Sequence, residues 1–168
     1  MFHGSFPSFL VVLVINHWGS YHALPVLSSL YTINETLPLD TNIFLRYLTK
    51  DNEEKAYKVL ELLKKIEKGK EKAITSPLVI FELIFTLQKY YKLSKEEIRD
   101  LVLPLINLRG LKLPYKVVFE KALEVFPHTN ISFADLFNYF FMLEHGVKEI
   151  YSYDEDFDKL QKVKRLIP

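Results

Sequence analysis

The chain of 168 residues is 49% hydrophobic and 26% charged, which supports one well-cored globular domain and excludes disorder throughout. Lys and Arg total 22 against 21 Asp and Glu, so the net charge of +1 excludes a strongly basic nucleic-acid binder and an acidic tail; any nucleic-acid contact must come from a local patch. The absence of cysteine excludes disulfides, thiolate metal sites and a cysteine nucleophile, and fits a reducing compartment.

No Asp, Glu, Lys or Arg occurs from Met1 to Asn34, whereas charged residues recur every few positions from Glu35 onward. This composition boundary separates an uncharged apolar extension, residues 1–36, from a folded domain over residues 37–168. Within the extension, "FLVVLVI" (Phe9 to Ile15) is of strand length, and by itself too short to span a bilayer. It lacks the preceding basic residues of a secretory signal, so the expected location is the cytoplasm, without a membrane anchor. Four readings stay open for the extension: an edge strand, a hydrophobic lid, a tail outside the fold, or a reading frame extended upstream.

From Leu37 onward, strand-like apolar runs alternate with helix-period segments, the pattern of an α/β sandwich with a mostly parallel, four- or five-stranded sheet. A first strand, Leu37 to Leu39, leads into a short helix from Thr41 to Tyr47. "NEEKAYKVLELLKKIEKGK" then places Ala56, Val59, Leu60, Leu63 and Ile66 at spacings of three and four, with acids at its start, bases at its end and Gly69 as terminator. "AITS" is the second strand, and Pro77 opens a helix through "LVIFELIFTLQKYY". Ser94 and Glu97 form a capping box for "LSKEEIRDLVLPLI", which Pro104 is expected to kink or end. "LKL" is the third strand, followed by amphipathic "YKVVFEKALEVF" and by "SFADLFNYFFMLEHG", capped by Ser132 and closed by Gly146. "EIYSY" is the fourth strand and "KVKRLI" a possible edge strand.

In open parallel sheets, side chains at the carboxyl ends of strands and in the following helix starts gather over one edge. Asp40 ends the first strand, Glu82 lies early in the helix after the second, Asp135 occupies a first helical turn, and Asp154 follows the fourth strand. Each has a plainer role: Asp40 and Asp154 as helix caps, Asp135 as a dipole partner, Glu82 as an outward-facing or ion-paired acid. Four separate coincidences are less economical than one shared site. Mutually close carboxylates repel unless a cation neutralises them, and Mg²⁺ or Mn²⁺ prefers such oxygen ligands. The reaction this arrangement suits is hydrolysis of a phosphodiester by metal-activated water. No glycine-rich phosphate cradle and no histidine pair with metal-ligand spacing competes with it. His145, before Gly146, suits a helix C-terminus.

"LDTNIFLRYL", "SPLVIFELIFTL", "ISFADLFNYFFMLEHG" and "IYSYDEDFDKL" occur in the order and spacing of the PIN-domain nucleases, and the region Leu37 to Pro168 most resembles their VapC-type toxins. The resemblance implies a three-layer α/β/α sandwich and cleavage of RNA dependent on Mg²⁺ or Mn²⁺. It matches Asp40, Glu82, Asp135 and Asp154 to the family's acids, adds Asp156 at the metal edge, and gives Thr41, Asn42 and Ser152 supporting polar roles. Asn138, one turn beyond Asp135, faces the same pocket or is a satisfied buried amide. A homodimer and a small inhibitory antitoxin are the implied partners. Three alternatives stand beside this reading: an RNA-processing nuclease without an antitoxin, a non-cleaving RNA- or protein-binding module, and a phosphatase with Asp40 as nucleophile. The last usually needs a second Asp where this chain has Asn42.

Overall fold

Short apolar runs and amphipathic segments alternate along residues 36–168, the part of the chain described by the computed structural model. The uncharged N-terminal segment lies outside the described residues. The order is β1 (Leu37–Pro38), α1 (Thr41–Thr49), α2 (Glu53–Glu67), β2 (Ala73–Ile74), α3 (Pro77–Lys89), α4 (Lys95–Ile106), β3 (Leu111–Lys112), α5 (Lys116–Val125), α6 (Phe133–Glu144), β4 (Glu149–Tyr151) and β5 (Lys164–Leu166). Two 3-10 turns, Phe126–His128 and Glu155–Lys159, complete it.

All strand pairs are parallel, as the βα alternation predicts. The ladders form as two groups among the described residues: β1 with β2 with β3, and β4 with β5. The expected single sheet of four or five strands is therefore present as five strands in a three-plus-two arrangement. β1 is an edge strand of its ladder. The N–H groups of Leu37 and Leu39 donate to the carbonyls of Lys72 and Ile74, so Pro38, between them, turns its donor-less nitrogen to the outer edge.

Local chemistry sets the helix boundaries. The Asn52, Ser76, Ser94 and Ser132 side chains each accept a backbone N–H from the first turn of the following helix. Pro77 sits at the start of α3 as expected. Pro104, by contrast, neither ends nor replaces the last turn of α4, which runs on to Ile106. Burial of Val102, Leu105 and Ile106 holds that turn despite the missing hydrogen bond. Gly110 is demanded by close approach: a Cβ there would lie 2.5 Å from the Glu71 carbonyl oxygen and 2.6 Å from that of Ile66.

The core is built from Phe44, Ile66, Ile80, Leu83, Ile98, Ile106, Phe119 and Leu136, all fully buried. Phe81 stands at its aromatic centre, with ring centroids 5.4 Å from Phe119, 5.6 Å from Phe133 and 4.9 Å from Phe137. Such pairs add about 0.5–1.5 kcal/mol each beyond area burial. They also fasten α3 to α5 and α6, and so fix the relative positions of Glu82, next to Phe81, and Asp135, two residues after Phe133.

Candidate functional site

Asp40 occupies the N-cap position of α1, but its side chain makes no capping hydrogen bond. The plainer reading of this residue is thus unrealised; instead the Asn42 amide donates to Asp40 Oδ2 at 3.3 Å. The next residue, Thr41, is 2% exposed and donates its hydroxyl to Glu82 Oε2 at 2.5 Å. One turn of backbone therefore presents Asp40 outward and ties the first strand's end to the acid of α3. Asp40 lines a hollow of about 470 Å³ over the ends of β1 and β2, with Thr75, Ser76 and Pro114.

A second hollow, of about 480 Å³, holds Asp135, Asp154 and Asp156. One carboxylate oxygen from each of the three lies within 4.8 Å of the others. Ser132, the cap of α6, accepts from the backbone N–H of Asp135 and donates its hydroxyl to Asp135 Oδ2. Asp154 caps the following 3-10 turn by accepting from the Asp156 N–H at 2.9 Å, and the Ser152 hydroxyl accepts from the Asp154 N–H at 3.0 Å. Asp135 and Asp154 thus play their plain structural roles as well as standing together. The set offers only hard oxygen donors, with neither thiolate nor imidazole, which suits Mg²⁺ or Mn²⁺ and not a softer metal.

The five candidate acids do not all meet at one point. Asp40 and Glu82 fall outside the three-carboxylate set found among the described residues. Glu82 lines neither hollow but lies on α3 between residues that line each. Val79 lines the first and Phe85 the second, and Glu82 lies three residues from each along α3. Those two residues are separated by a rise of about 9 Å. Asn138 is exposed and lies outside the set lining the second hollow. A further groove, of about 960 Å³, runs along β4 and β5 beside Lys148, Lys162 and Lys164, and contains none of the five acids.

Two cations beside the carboxylates were not singled out from sequence. Lys159 pairs with Asp156 at 2.5 Å, and the bond to that carboxylate raises the lysine above its ordinary range. Their spacing of three residues in "DEDFDK" is a readable helical-pair signal. Lys95, at the start of α4, lines the second hollow. Its ammonium donates to the carbonyls of Thr129 at 2.7 Å and Ile131 at 3.0 Å and lies 4.6 Å from the Phe126 ring centre. Burial pushes it below the ordinary lysine range.

Comparison with known proteins agrees with this architecture. The family model for the PIN domain matches residues 38–163. A curated relative, the VapC ribonuclease of Aquifex aeolicus (strain VF5), is 26% identical over 122 residues, covering 73% of this chain and 90% of the relative. Among the described residues, five parallel strands and six α-helices, with acids at the strand ends, are in keeping with that match. By the extent of this match, the chain belongs to the PIN-domain family.

Proposed function

We propose that residues 37–168 form a metal-dependent endoribonuclease domain, the toxin of a VapC-type toxin–antitoxin pair acting in the cytoplasm, preceded in the sequence by the uncharged apolar extension of residues 1–36. The observation that carries this reading is the convergence of Asp135, Asp154 and Asp156 at the start of α6 and after β4, in a chain of this family. The VapC ribonuclease relative supports RNA as the substrate.

Asp135, Asp154 and Asp156 would hold Mg²⁺ or Mn²⁺, with Asp40 and Glu82, at the start of α1 and on α3, as further acids of the site. The ion supplies positive charge to a phosphodiester and makes water more acidic at neutral pH. Ser132 and Ser152 hold the carboxylate-bearing turns, Thr41 orients Glu82, and Asn42 orients Asp40. Glu82 and Asp40 remain exposed and able to take a proton from an approaching water. Leu78 and Phe85, exposed and seven residues apart on α3, supply apolar area for a second copy of the chain. An antitoxin that places a basic side chain among the acids would inhibit by occupying the cation's place. No helix among the described residues is long and apolar enough to cross a membrane.

The test is cleavage of RNA with Mg²⁺ or Mn²⁺ by the full chain, Asp40→Asn and Asp135→Asn, with circular dichroism to monitor the fold. Each substitution is expected to abolish cleavage without unfolding the chain. Cleavage at an undiminished rate by either variant overturns the assignment.

A further inference from the structure

The second hollow contains a cation that none of its carboxylates contacts directly, although Asp156 and, on the same helix, Glu96 attract it at longer range. Lys95 is half-buried, yet among the described residues no carboxylate lies within 4.0 Å of its ammonium. A protonated amine has three N–H donors. Two are engaged by the Thr129 and Ile131 carbonyls, and the Phe126 ring lies beneath the charge. These partners hold the ammonium in place without cancelling its charge, and they leave one donor over. Lys89 and Gln88 also line the hollow, and neither supplies an anion.

We propose that Lys95 is a substrate-anchoring residue, its remaining N–H donating to a backbone phosphate of RNA beside the Asp135, Asp154 and Asp156 carboxylates. This rests on the nuclease reading above and adds to it the group that grips the substrate. The chemistry favours an anion on three counts. Desolvation works against the charge, which a phosphate oxygen would relieve; this is the direction in which the lysine is already pushed. The side chain is pre-ordered by its two carbonyl bonds, so little rotamer freedom remains to be lost on contact. Its position on the wall of the acid-bearing hollow gives a phosphodiester a cation of the protein's own next to a metal held by carboxylates.

The alternative is that Lys95 merely clamps the 129–131 loop to α4. RNA binding distinguishes the two. The full chain, Lys95→Gln and Lys95→Arg are titrated against a labelled single-stranded RNA in EDTA over a range of KCl concentrations. Glutamine keeps an N–H donor for the carbonyls but no charge. Lys95→Gln is expected to weaken binding about 10-fold and to shrink the slope of log affinity against log salt by about 0.7, one phosphate's worth, while Lys95→Arg retains both. Unchanged affinity and slope in Lys95→Gln overturn the phosphate contact and leave the nuclease reading standing. Absence of RNA binding by the unsubstituted chain likewise overturns the phosphate contact, while the nuclease reading is decided separately by the metal-dependent cleavage test. A second measurement needs no variant: bound RNA is expected to protect Lys95 of the unsubstituted chain from acylation, read by mass spectrometry. Equal acylation with and without RNA sinks the proposal even if Lys95→Gln fails to fold.

Discussion

Replacing Thr41 with valine separates positioning from stability at the proposed site. The hydroxyl is buried at 2% exposure and donates to Glu82 Oε2 at 2.5 Å. Valine keeps the shape and deletes the donor. A hydrogen bond to a charged acceptor contributes about 1.5–3 kcal/mol, and the exposed Glu82 carboxylate is rehydrated when it is lost, so the lower end applies. The added buried methyl offsets about 0.8 kcal/mol of that. The net loss is about 0.7 kcal/mol, which for a domain of this size lowers the melting temperature by about 2–4 °C. Catalysis is expected to suffer far more, because a carboxylate free to move by about 1 Å costs on the order of 100-fold in rate. Single-turnover cleavage of a labelled RNA with Mn²⁺, run beside thermal melts, measures both quantities. Thr41→Ser, which keeps the hydroxyl, is expected to restore the rate. Cleavage by Thr41→Val at the unsubstituted rate, with the modest melting change present, would refute the claim that this hydroxyl orients Glu82 for chemistry.

Three further outcomes are expected. Gly110→Ala places a methyl against the Glu71 and Ile66 carbonyl oxygens, both backbone atoms, and should destabilise the fold by about 1–3 kcal/mol in urea titration. The carboxylate of Glu97 is held below its ordinary range, chiefly by the Ser94 backbone N–H and then by the Ser94 side chain. A lowered folded value means stability that is complete above the unfolded value, about 4.3, and lost as pH falls through the folded one. Melts of the chain and of Glu97→Gln should therefore converge as pH drops through that window. Lys159→Ala removes the cation paired with Asp156 at 2.5 Å. Because exposed pairs contribute about 0.2–1 kcal/mol, Mn²⁺ affinity by titration calorimetry should rise by a factor of about 1.5–5.

What was legible in the sequence was local. Ser76, Ser94 and Ser132 announce helix starts because a short hydroxyl at the cap satisfies otherwise unpaired N–H groups a few residues on. The spacing of Ala56, Val59, Leu63 and Ile66 announces a helix face because the period is intrinsic to the backbone, and all four are buried. The companionship of Asp156 with Asp135 and Asp154 followed from the family resemblance. What was hidden depended on distant partners. Lys95 reads as an ordinary first-turn lysine, since its carbonyl partners lie 34 and 36 residues away. The survival of α4 past Pro104 depends on tertiary burial that outweighs local preference. The division of the strands into two ladders, β1 with β2 and β3 and β4 with β5, depends on which distant strands pair, which local periodicity does not specify.

The distribution of donors around the acids bears on what they are for. Among the described residues, Lys or Arg side chains pair with Asp51, Glu54, Glu61, Asp100, Glu144, Glu149, Asp156 and Asp158. Asp40, Glu82, Asp135 and Asp154 are absent from those pairs. Freedom from a basic partner alone distinguishes nothing, because solvated acids such as Glu96 share it. The four are held by neutral groups: Asn42 on Asp40, Thr41 on Glu82, Ser132 on Asp135, and a backbone N–H on Asp154, an arrangement that Glu67 and Glu97 share through backbone N–H donors. A neutral donor fixes where a carboxylate oxygen points and leaves its charge uncancelled. A salt bridge would fix direction at the expense of charge. A structural acid can use either arrangement, as Glu97 uses the first in its capping box, whereas an acid that receives a cation needs the first. Asp156 is the exception that sharpens the point: its lysine is exposed and short-range, the kind of partner an incoming divalent ion displaces at small cost.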